Sequence, residues 1–316
     1  MLDTRLNYNN GRNKIMTDAI LLEKLTKNYG EKKAIDNIDL KVPKGSIFGL
    51  LGPNGAGKST IINILAGLTT KTSGKASIMG IDIDAEPQAA KYQIGVVPQE
   101  IVLDTFFPLR EALEFYAGYY GIRPKDRKTD EIIEALGLKD KVNATARQLS
   151  GGMRRRFLVA KAMVHSPKVL ILDEPTAGVD IDLREQLWAY VKDLNKRGTT
   201  IILTTHYLEE AQELCDHIAF INHGKIIKSD RKDNLLSTLS SRKMVIDLAG
   251  TFDPSKVKSL KLNIDQVNDH QIHIDLMGRD IGEVISGLQG AGLVIRDLSV
   301  EQADLAEVFK KVIVKA

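Results

Sequence analysis

The sequence predicts an α/β fold, and three features of the chain carry this prediction. A short apolar run, Ile47–Leu51, leads through a glycine-rich segment into a helical pattern that ends near Leu65. A second apolar run, Val169–Leu172, ends in two adjacent carboxylates, and a third, Thr199–Thr205, ends in a histidine. Apolar runs of this length, bounded by turn residues and separated by helical patterns, are typical of buried strands in α/β sheets.

The segment after the first strand has the residues of a phosphate-binding loop. Backbone N–H groups must wrap a triphosphate closely, and glycines at three positions permit that approach. Lys58 supplies a positive charge, Ser59 a hydroxyl for Mg²⁺, and the following helix about half a positive charge at its N-terminus. A chance arrangement of these residues arises on the order of once in a hundred such chains. The predicted nucleotide-binding residues here are Gly52, Pro53, Asn54, Gly55, Ala56, Gly57, Lys58, Ser59 and Thr60.

Length and composition limit the other possibilities. A chain of 316 residues predicts one large domain with a smaller one. The net charge of +3 is too small to argue for a nucleic-acid partner, and the single Cys215 favours a reducing compartment. The sequence contains no apolar run long enough to span a bilayer, which predicts a cytoplasmic location. Residues 1–15 are interpreted as a disordered leader or as the product of a start upstream of Met16.

Two strand patterns precede the phosphate-binding loop and predict an antiparallel β layer. They cover Ala19–Tyr29 and Ala34–Val42, and the second alternates apolar with polar residues as a half-buried strand does. Tyr29 stands at the end of the first strand. Its ring can stack on an adenine, a contact worth about 1–3 kcal/mol, although simple packing is the alternative for a tyrosine at a strand end.

Four further candidate residues follow predicted strands, where ligands bind in α/β sheets. Gln99 can reach a metal or a water there, with a loop or capping glutamine as the alternative. Asp173 is expected to hold Mg²⁺ through water or Ser59, and Glu174 to polarise the attacking water, because strand alternation sends the two side chains in different directions. His206 can contact the γ-phosphate, although a lone histidine is more often structural.

A helical pattern between Arg110 and Val164 predicts an inserted helical layer. It closes with Ser150, Gly151 and Gly152, which lead directly into a helix. A serine and two glycines at a helix start predict a second anion-binding site. The basic run that follows, Arg154–Arg156, is interpreted as a solvated face.

The order and spacing of these motifs resemble the ATP-binding cassette (ABC) ATPases over roughly Ile20 to Ile227. The Leu-Ser-Gly-Gly element at residues 149–152 is the most specific of them, since other phosphate-loop enzymes lack it. The resemblance implies ATP and Mg²⁺ as ligands, adenine stacking for Tyr29, contact with Mg²⁺ and a link to a transporter for Gln99, and contact with the γ-phosphate for His206.

The resemblance also implies partners. Ser150, Gly151 and Gly152 would cap the γ-phosphate bound to the other subunit of a head-to-tail homodimer, so that both ATP sites are composite. The signature, together with Ala177–Asp180 and the segment Thr204–Ala211, is similar to single-cassette ATPases of bacterial type-2 ABC exporters. This similarity implies a separate integral-membrane permease and a location on the inner face of the cell membrane. Met153 departs from the usual glutamine, and Ala177–Val179 from the common Ser-Ala-Leu.

Two other functions are weighed against transport. A non-transport ABC ATPase acting on ribosomes or nucleic acid resembles two cassettes in one chain, or a cassette split by a long coiled coil, and neither pattern occurs here. A GTPase would need an Asn-Lys-x-Asp guanine reader, which Asn195–Gly198 lacks. The permease selects the transported substrate, so this sequence does not identify it.

The predicted architecture is therefore a phosphate-loop NTPase core with an antiparallel β layer and an inserted helical subdomain, plus a small C-terminal α+β module. The ATP-binding domain is expected at residues 16–228, with the helical subdomain at about residues 100–165. A charged segment, Lys228–Asn234, is interpreted as a linker. Residues 235–316 are expected to form the C-terminal domain, whose proposed roles are regulation or support of the dimer.

Overall fold

The computed structural model describes residues 18–176, 181–239, 243–276, 279–301 and 305–314. The predicted leader and the segment Ala177–Asp180 lie outside these residues. Strands and helices are numbered in chain order. The described strands form three sheets.

The first sheet is antiparallel. Two of its strands precede the phosphate-binding loop in sequence, and two follow it. Its strand order is β2-β1-β4-β5. Long β1 and β2 pair along most of their length, with bulges that bend the ribbon. The strands are β1 (Asp18–Tyr29), β2 (Lys32–Pro43), β4 (Ser73–Ile78) and β5 (Ile81–Asp82).

The second sheet is the central one and has the order β10-β9-β3-β8-β7-β6. Five of its strands run parallel, and β10 pairs with β9 as an antiparallel edge. The parallel arrangement brings the carboxyl ends of β3, β6, β7 and β8 to one edge. The strands are β3 (Ile47–Leu51), β6 (Ile94–Val97), β7 (Val169–Asp173), β8 (Thr200–Thr205), β9 (His217–Asn222) and β10 (Lys225–Arg231).

The helices connect these strands and cover the central sheet. Among the helices that the structure describes, none is both long enough and apolar enough to cross a bilayer. The helices described before residue 243 are α1 (Lys58–Leu65), α2 (Pro87–Tyr92), α3 (Leu109–Tyr119), α4 (Thr129–Ala135), α5 (Gly151–Met163), α6 (Ile181–Lys196), α7 (Leu208–Leu214) and α8 (Lys232–Leu239).

The central sheet separates two hydrophobic cores, because alternate residues of its buried strands point to opposite faces. On one face, Phe48 and Leu50 of β3 pack with the antiparallel sheet and α1. On the other face, Ile47 and Leu51 pack with helices α3 to α7. The two cores together fix the strand ends that carry the candidate site residues.

A third sheet with a core of its own follows β10. Its strand order is β12-β13-β11-β14, all pairs are antiparallel, and α9 packs on it. Its elements are β11 (Lys243–Leu248), a 3-10 helix (Pro254–Leu260), β12 (Asn263–Gln266), β13 (Gln271–Asp275), α9 (Ile281–Gly290) and β14 (Ile295–Glu301).

The last helix, α10 (Leu305–Val314), packs away from this third sheet. Its buried residues Leu305, Val308 and Val312 lie in the helical core of the central sheet. The ring of Phe309 meets that of Phe220 in β9 edge-on, with centroids 5.7 Å apart. Leu235 of α8 lies in the same core. The predicted division at residue 235 therefore differs from the packing, because both ends of the predicted C-terminal domain join the central-sheet core.

Candidate ATP site

The glycine-rich segment joins β3 to α1 and passes close to two neighbouring strands. A Cβ at position 52 would lie 2.2 Å from the carbonyl oxygen of Ile221 in β9. At Gly57, where φ is +115°, a Cβ would lie 2.9 Å from the carbonyl oxygen of Ala34. Packing therefore requires glycine at position 52, and both packing and backbone conformation require it at position 57.

Lys58 begins α1, and its side chain is almost fully buried. Nζ donates to the carbonyl oxygens of Gly52 at 2.7 Å and Pro53 at 3.1 Å, so the ammonium lies within the curve of the loop. Burial lowers the pKa of the Lys58 amine, and the carboxylates of Glu174 and Asp173 oppose this effect. A cation at a helix N-terminus, surrounded by backbone, is suited to bind an anionic ligand.

A cavity of about 510 Å³ opens beside this loop, a volume within the range of small-molecule sites. It brings together Tyr29, most of the loop, and residues from the ends of β6 and β7. The ring of Tyr29 is half exposed at the end of β1, with Nζ of Lys27 4.7 Å from its centre. The cavity is lined by Tyr29, Lys32, Lys33, Ala34, Asn54, Gly55, Gly57, Lys58, Ser59, Thr60, Gln99, Asp173, Glu174, His223 and Gly224.

The turn between β9 and β10 supports the loop and lines the same cavity. The backbone N–H of Gly224 donates to the carbonyl oxygen of Ala56 at 2.9 Å, and its own carbonyl accepts from Asp36 at 2.8 Å. His223 and Gly224 were not among the predicted site residues. A His-Gly pair between two strand patterns is a turn signal, but nothing local to it indicates proximity to the loop.

The two adjacent carboxylates have different partners. Oδ2 of Asp173 lies 3.5 Å from Oγ of Ser59, and its Oδ1 accepts a hydrogen bond from the hydroxyl of Thr204 in β8. Ser59 and Asp173 thus present oxygen atoms to one point of the cavity. Oxygen donors of this kind are the ligands that Mg²⁺ prefers.

Glu174 is buried, and two polar side chains at this edge of the sheet contact its carboxylate. Its Oε2 accepts a hydrogen bond from Nε2 of Gln99 at 3.0 Å, and Nδ1 of His206 lies 3.3 Å from the same oxygen. The backbone of Glu174 has a φ of +47°, and its N–H donates to the carbonyl oxygen of Thr204 at 3.0 Å. A non-glycine residue in this left-handed region costs energy, and such residues are frequent at active sites.

The second predicted anion site lies elsewhere on the chain. Ser150 caps α5, and its Oγ accepts from the backbone N–H of Met153 at 3.3 Å. Ser150 and Gly151 are exposed, Gly152 is half-buried, and none of the three lines the cavity beside Lys58. Met153 packs against the helical core.

The interpretation of the basic run as a solvated face is wrong for Arg155, which is buried. Its side chain is 3 % exposed. Burial lowers the pKa of the Arg155 guanidinium, and the charges of nearby carboxylates oppose this effect. The neighbours Arg154 and Arg156 also donate to backbone carbonyl oxygens, those of Ala146 and Leu136. The guanidinium of Arg155 donates to five carbonyl oxygens, those of Pro98, Gln99, Asp173, Glu174 and Pro175.

Comparisons with known proteins agree with this geometry. The family model described as ABC transporter matches residues 35–177. The daunorubicin resistance ATP-binding protein DrrA3 of Streptomyces coeruleorubidus is 36% identical over 299 residues, which are 92% of this chain and 94% of that protein. The Nod factor export ATP-binding protein I of Rhizobium etli is 40% identical over 244 residues, 77% of each chain.

A solved structure has the same fold. It is an ATP-binding cassette captured as a dimer in a post-hydrolysis state bound to ADP and phosphate, 26% identical, with a TM-score of 0.60. The match covers 67% of this chain and 98% of that one. The predicted α/β nucleotide-binding fold and the predicted ATPase family are both confirmed. The chain belongs to the ABC transporter family and is an ATP-hydrolysing, ATP-binding subunit of such a transporter.

Proposed function

We propose that this subunit works as a homodimer on the inner face of the cell membrane, where its ATP hydrolysis drives a separate permease that exports a substrate. The names of the export and resistance relatives support the direction of transport. None of the relatives described above favours the alternative, an ABC ATPase that acts on ribosomes or nucleic acid.

The residues in and around the cavity divide the chemistry of ATP among them. The loop from Gly52 to Thr60 wraps the phosphates, Lys58 neutralises the terminal ones, and Tyr29 stacks on the adenine. Glu174 accepts a proton from the attacking water. His206, whose Nδ1 lies 3.3 Å from Oε2 of Glu174, contacts the γ-phosphate and orients Glu174.

The oxygen donors of Ser59 in α1, Gln99 after β6 and Asp173 at the end of β7 fit Mg²⁺. Ser59, Asp173 and Gln99 would hold the ion, which when bound neutralises the negative charge that develops on the β- and γ-phosphates. Asp173 is prepared for this role because Thr204 fixes its other oxygen. Gln99 also donates to Glu174, so the same side chain links the metal position with the general base.

A composite site explains why the chain has two anion-binding helix starts. The exposed Ser150 and Gly151 lie outside the cavity beside Lys58. In a head-to-tail homodimer, Ser150, Gly151 and Gly152 would cap the γ-phosphate bound by the other subunit. The exposure of Ser150 and Gly151 in the single chain supports this arrangement.

An exposed aromatic surface supports the proposal of a membrane partner. We define it as Phe106, Phe107, Phe115 and Tyr119, on α3 and the segment before it. Phe106 is 82% exposed and Tyr119 81%, and the rings of Phe107 and Phe115 stack with centroids 6.3 Å apart. Large exposed apolar groups in one patch mark interaction sites. Along the chain, this surface follows Gln99, the residue that donates to Glu174.

The experiment is recovery of a partner with tagged protein from detergent-solubilised membranes. We expect the wild-type chain to recover a multi-spanning permease, identified by mass, and the double variant Phe106→Ser, Phe115→Ser to lose it. ATP hydrolysis by the isolated variant should stay at the wild-type rate. Val294→Ser is the matched control, since Val294 is 67% exposed but lies outside the aromatic surface. Recovery of ribosomes or nucleic acid instead of a permease would reject the transport proposal.

A further inference from the structure

Glu210 in α7 is a buried carboxylate that none of the roles above uses. It is 1% exposed. Its Oε1 accepts hydrogen bonds from Oγ1 of Thr176 and from Nε1 of Trp188, both at 3.1 Å. Its Oε2 has no hydrogen-bonding partner among the described residues.

The two donors and Glu210 itself come from three segments that meet at the ATP site. Thr176 stands two residues after Glu174, Trp188 belongs to α6, and α7, which carries Glu210, begins two residues after His206. A carboxylate costs free energy to bury unless hydrogen bonds compensate it. Burial raises the pKa of Glu210, while its hydrogen bonds and the charge of Arg184 oppose this effect. Both donors converge on one oxygen atom, Oε1.

Hydrogen bonds hold the backbone around both candidate catalytic residues. Oγ1 of Thr205 accepts from the N–H of Tyr207 at 3.0 Å, which shapes the turn that carries His206. Glu174 has a left-handed backbone, which persists only where its surroundings hold it. Hydrogen bonds to Thr204 hold it from one side. The bond from Thr176 to Glu210 holds the chain from the other side.

We propose that Glu210 is a positioning residue that fixes Glu174 and His206 relative to each other for ATP hydrolysis. It does so through Thr176 and Trp188 and through its place on α7, the helix that begins two residues after His206, and it does not line the nucleotide cavity. This inference rests on the proposed roles of Glu174 and His206. It adds a buried residue on α7 to the groups that set the rate of the reaction.

The test compares Glu210→Ala and Glu210→Gln with Glu209→Ala, a matched control because Glu209 is the exposed neighbour on the same helix. Glu210→Ala should lower kcat by about 10²-fold, the loss that a misplacement of about 1 Å can cause. Its KM and the equilibrium affinity for ATP should change less than about threefold, since the phosphate-binding loop is untouched. Glu210→Gln keeps an acceptor oxygen and should regain most of the turnover, whereas Glu209→Ala should match wild type.

Thr176→Val and Trp188→Phe provide a second route should Glu210→Ala fail to fold. Each removes one donor and keeps the carboxylate, and each should lower kcat with little change in KM. A kcat within twofold of wild type for Glu210→Ala, or for both donor variants, would overturn the proposal. Glu174→Gln is measured alongside. Normal hydrolysis by Glu174→Gln would reject the role of Glu174 itself, which separates failure of the proposed function from failure of the positioning role.

Discussion

The ATP site and the C-terminal region both depend on contacts between distant parts of the chain, but only the first is encoded in short motifs. At the ATP site, Gln99, Glu174 and His206 each follow a strand of the central sheet. Because the strands are parallel, their ends meet at one edge. The position of each residue after its strand therefore indicated this edge of the sheet, while the resemblance to the ABC ATPases supplied the roles of Gln99 and His206.

The C-terminal region has no such rule. The spacing of Leu305, Val308, Phe309 and Val312 predicts a helix with one apolar face. Any apolar surface can cover that face, and the nearest one along the chain is the third sheet. The structure instead packs α10 on the central-sheet core. Periodicity predicts that a face is buried, whereas the partner depends on the whole fold.

The largest expected effect is at the ATP site, the region that short motifs encode. Glu174→Gln should lower ATP turnover by about 10²–10⁴-fold, as for the loss of a general base. Affinity for ATP should persist, because the phosphate-binding loop and Lys58 are unchanged. Steady-state hydrolysis and equilibrium binding of ATP measure the two quantities. The control is Glu23→Gln, at an exposed glutamate of β1. Near-normal turnover would contradict the assignment.

The second prediction tests the packing of α10. Leu305 is fully buried in the central-sheet core, and Leu305→Ala should lower the free energy of unfolding of that core by about 2–5 kcal/mol. Trp188 is the only tryptophan of the chain and lies in α6, so its fluorescence in a denaturant titration reports on this core alone.

Ile246→Ala is the matched control for this measurement. Ile246 is equally buried, but in the core of the third sheet. It should destabilise the third sheet, seen by hydrogen exchange, and leave the Trp188 transition near its wild-type midpoint. Should Leu305→Ala behave like Ile246→Ala, α10 would belong to the third sheet in solution.

Some features of the site could be predicted and others could not, for physical reasons. The strand-loop-helix order and the strand-end carboxylates follow from local sequence. Arg155 was assigned to a solvated face because three arginines stand in a row. Its spacing from Leu158 and Val159 on α5, both buried, was the missed signal. The supporting turn at Gly224 and the short strand Asn263–Gln266 carry no local pattern strong enough to predict their contacts.

The smallest expected effect compares two helix caps, one in each region. Ser150 caps α5 with a hydrogen bond from Met153 N at 3.3 Å. Asp280 caps α9 with hydrogen bonds from Gly282 N at 2.8 Å and Glu283 N at 3.2 Å. Replacing either residue by alanine should cost about 0.5–2 kcal/mol of local stability.

The two caps should differ in function, although their structural costs are similar. If Ser150 also contacts the γ-phosphate of the partner subunit, Ser150→Ala removes a hydrogen bond to a charged group, worth about 1.5–3 kcal/mol. Turnover of the dimer should then fall about tenfold or more, whereas Asp280→Ala should hydrolyse ATP at the wild-type rate. Hydrogen exchange in α5 and α9 checks that both helices loosen to a similar extent. An unchanged turnover for Ser150→Ala would leave Ser150 as a cap only, and the composite site would then lose its support.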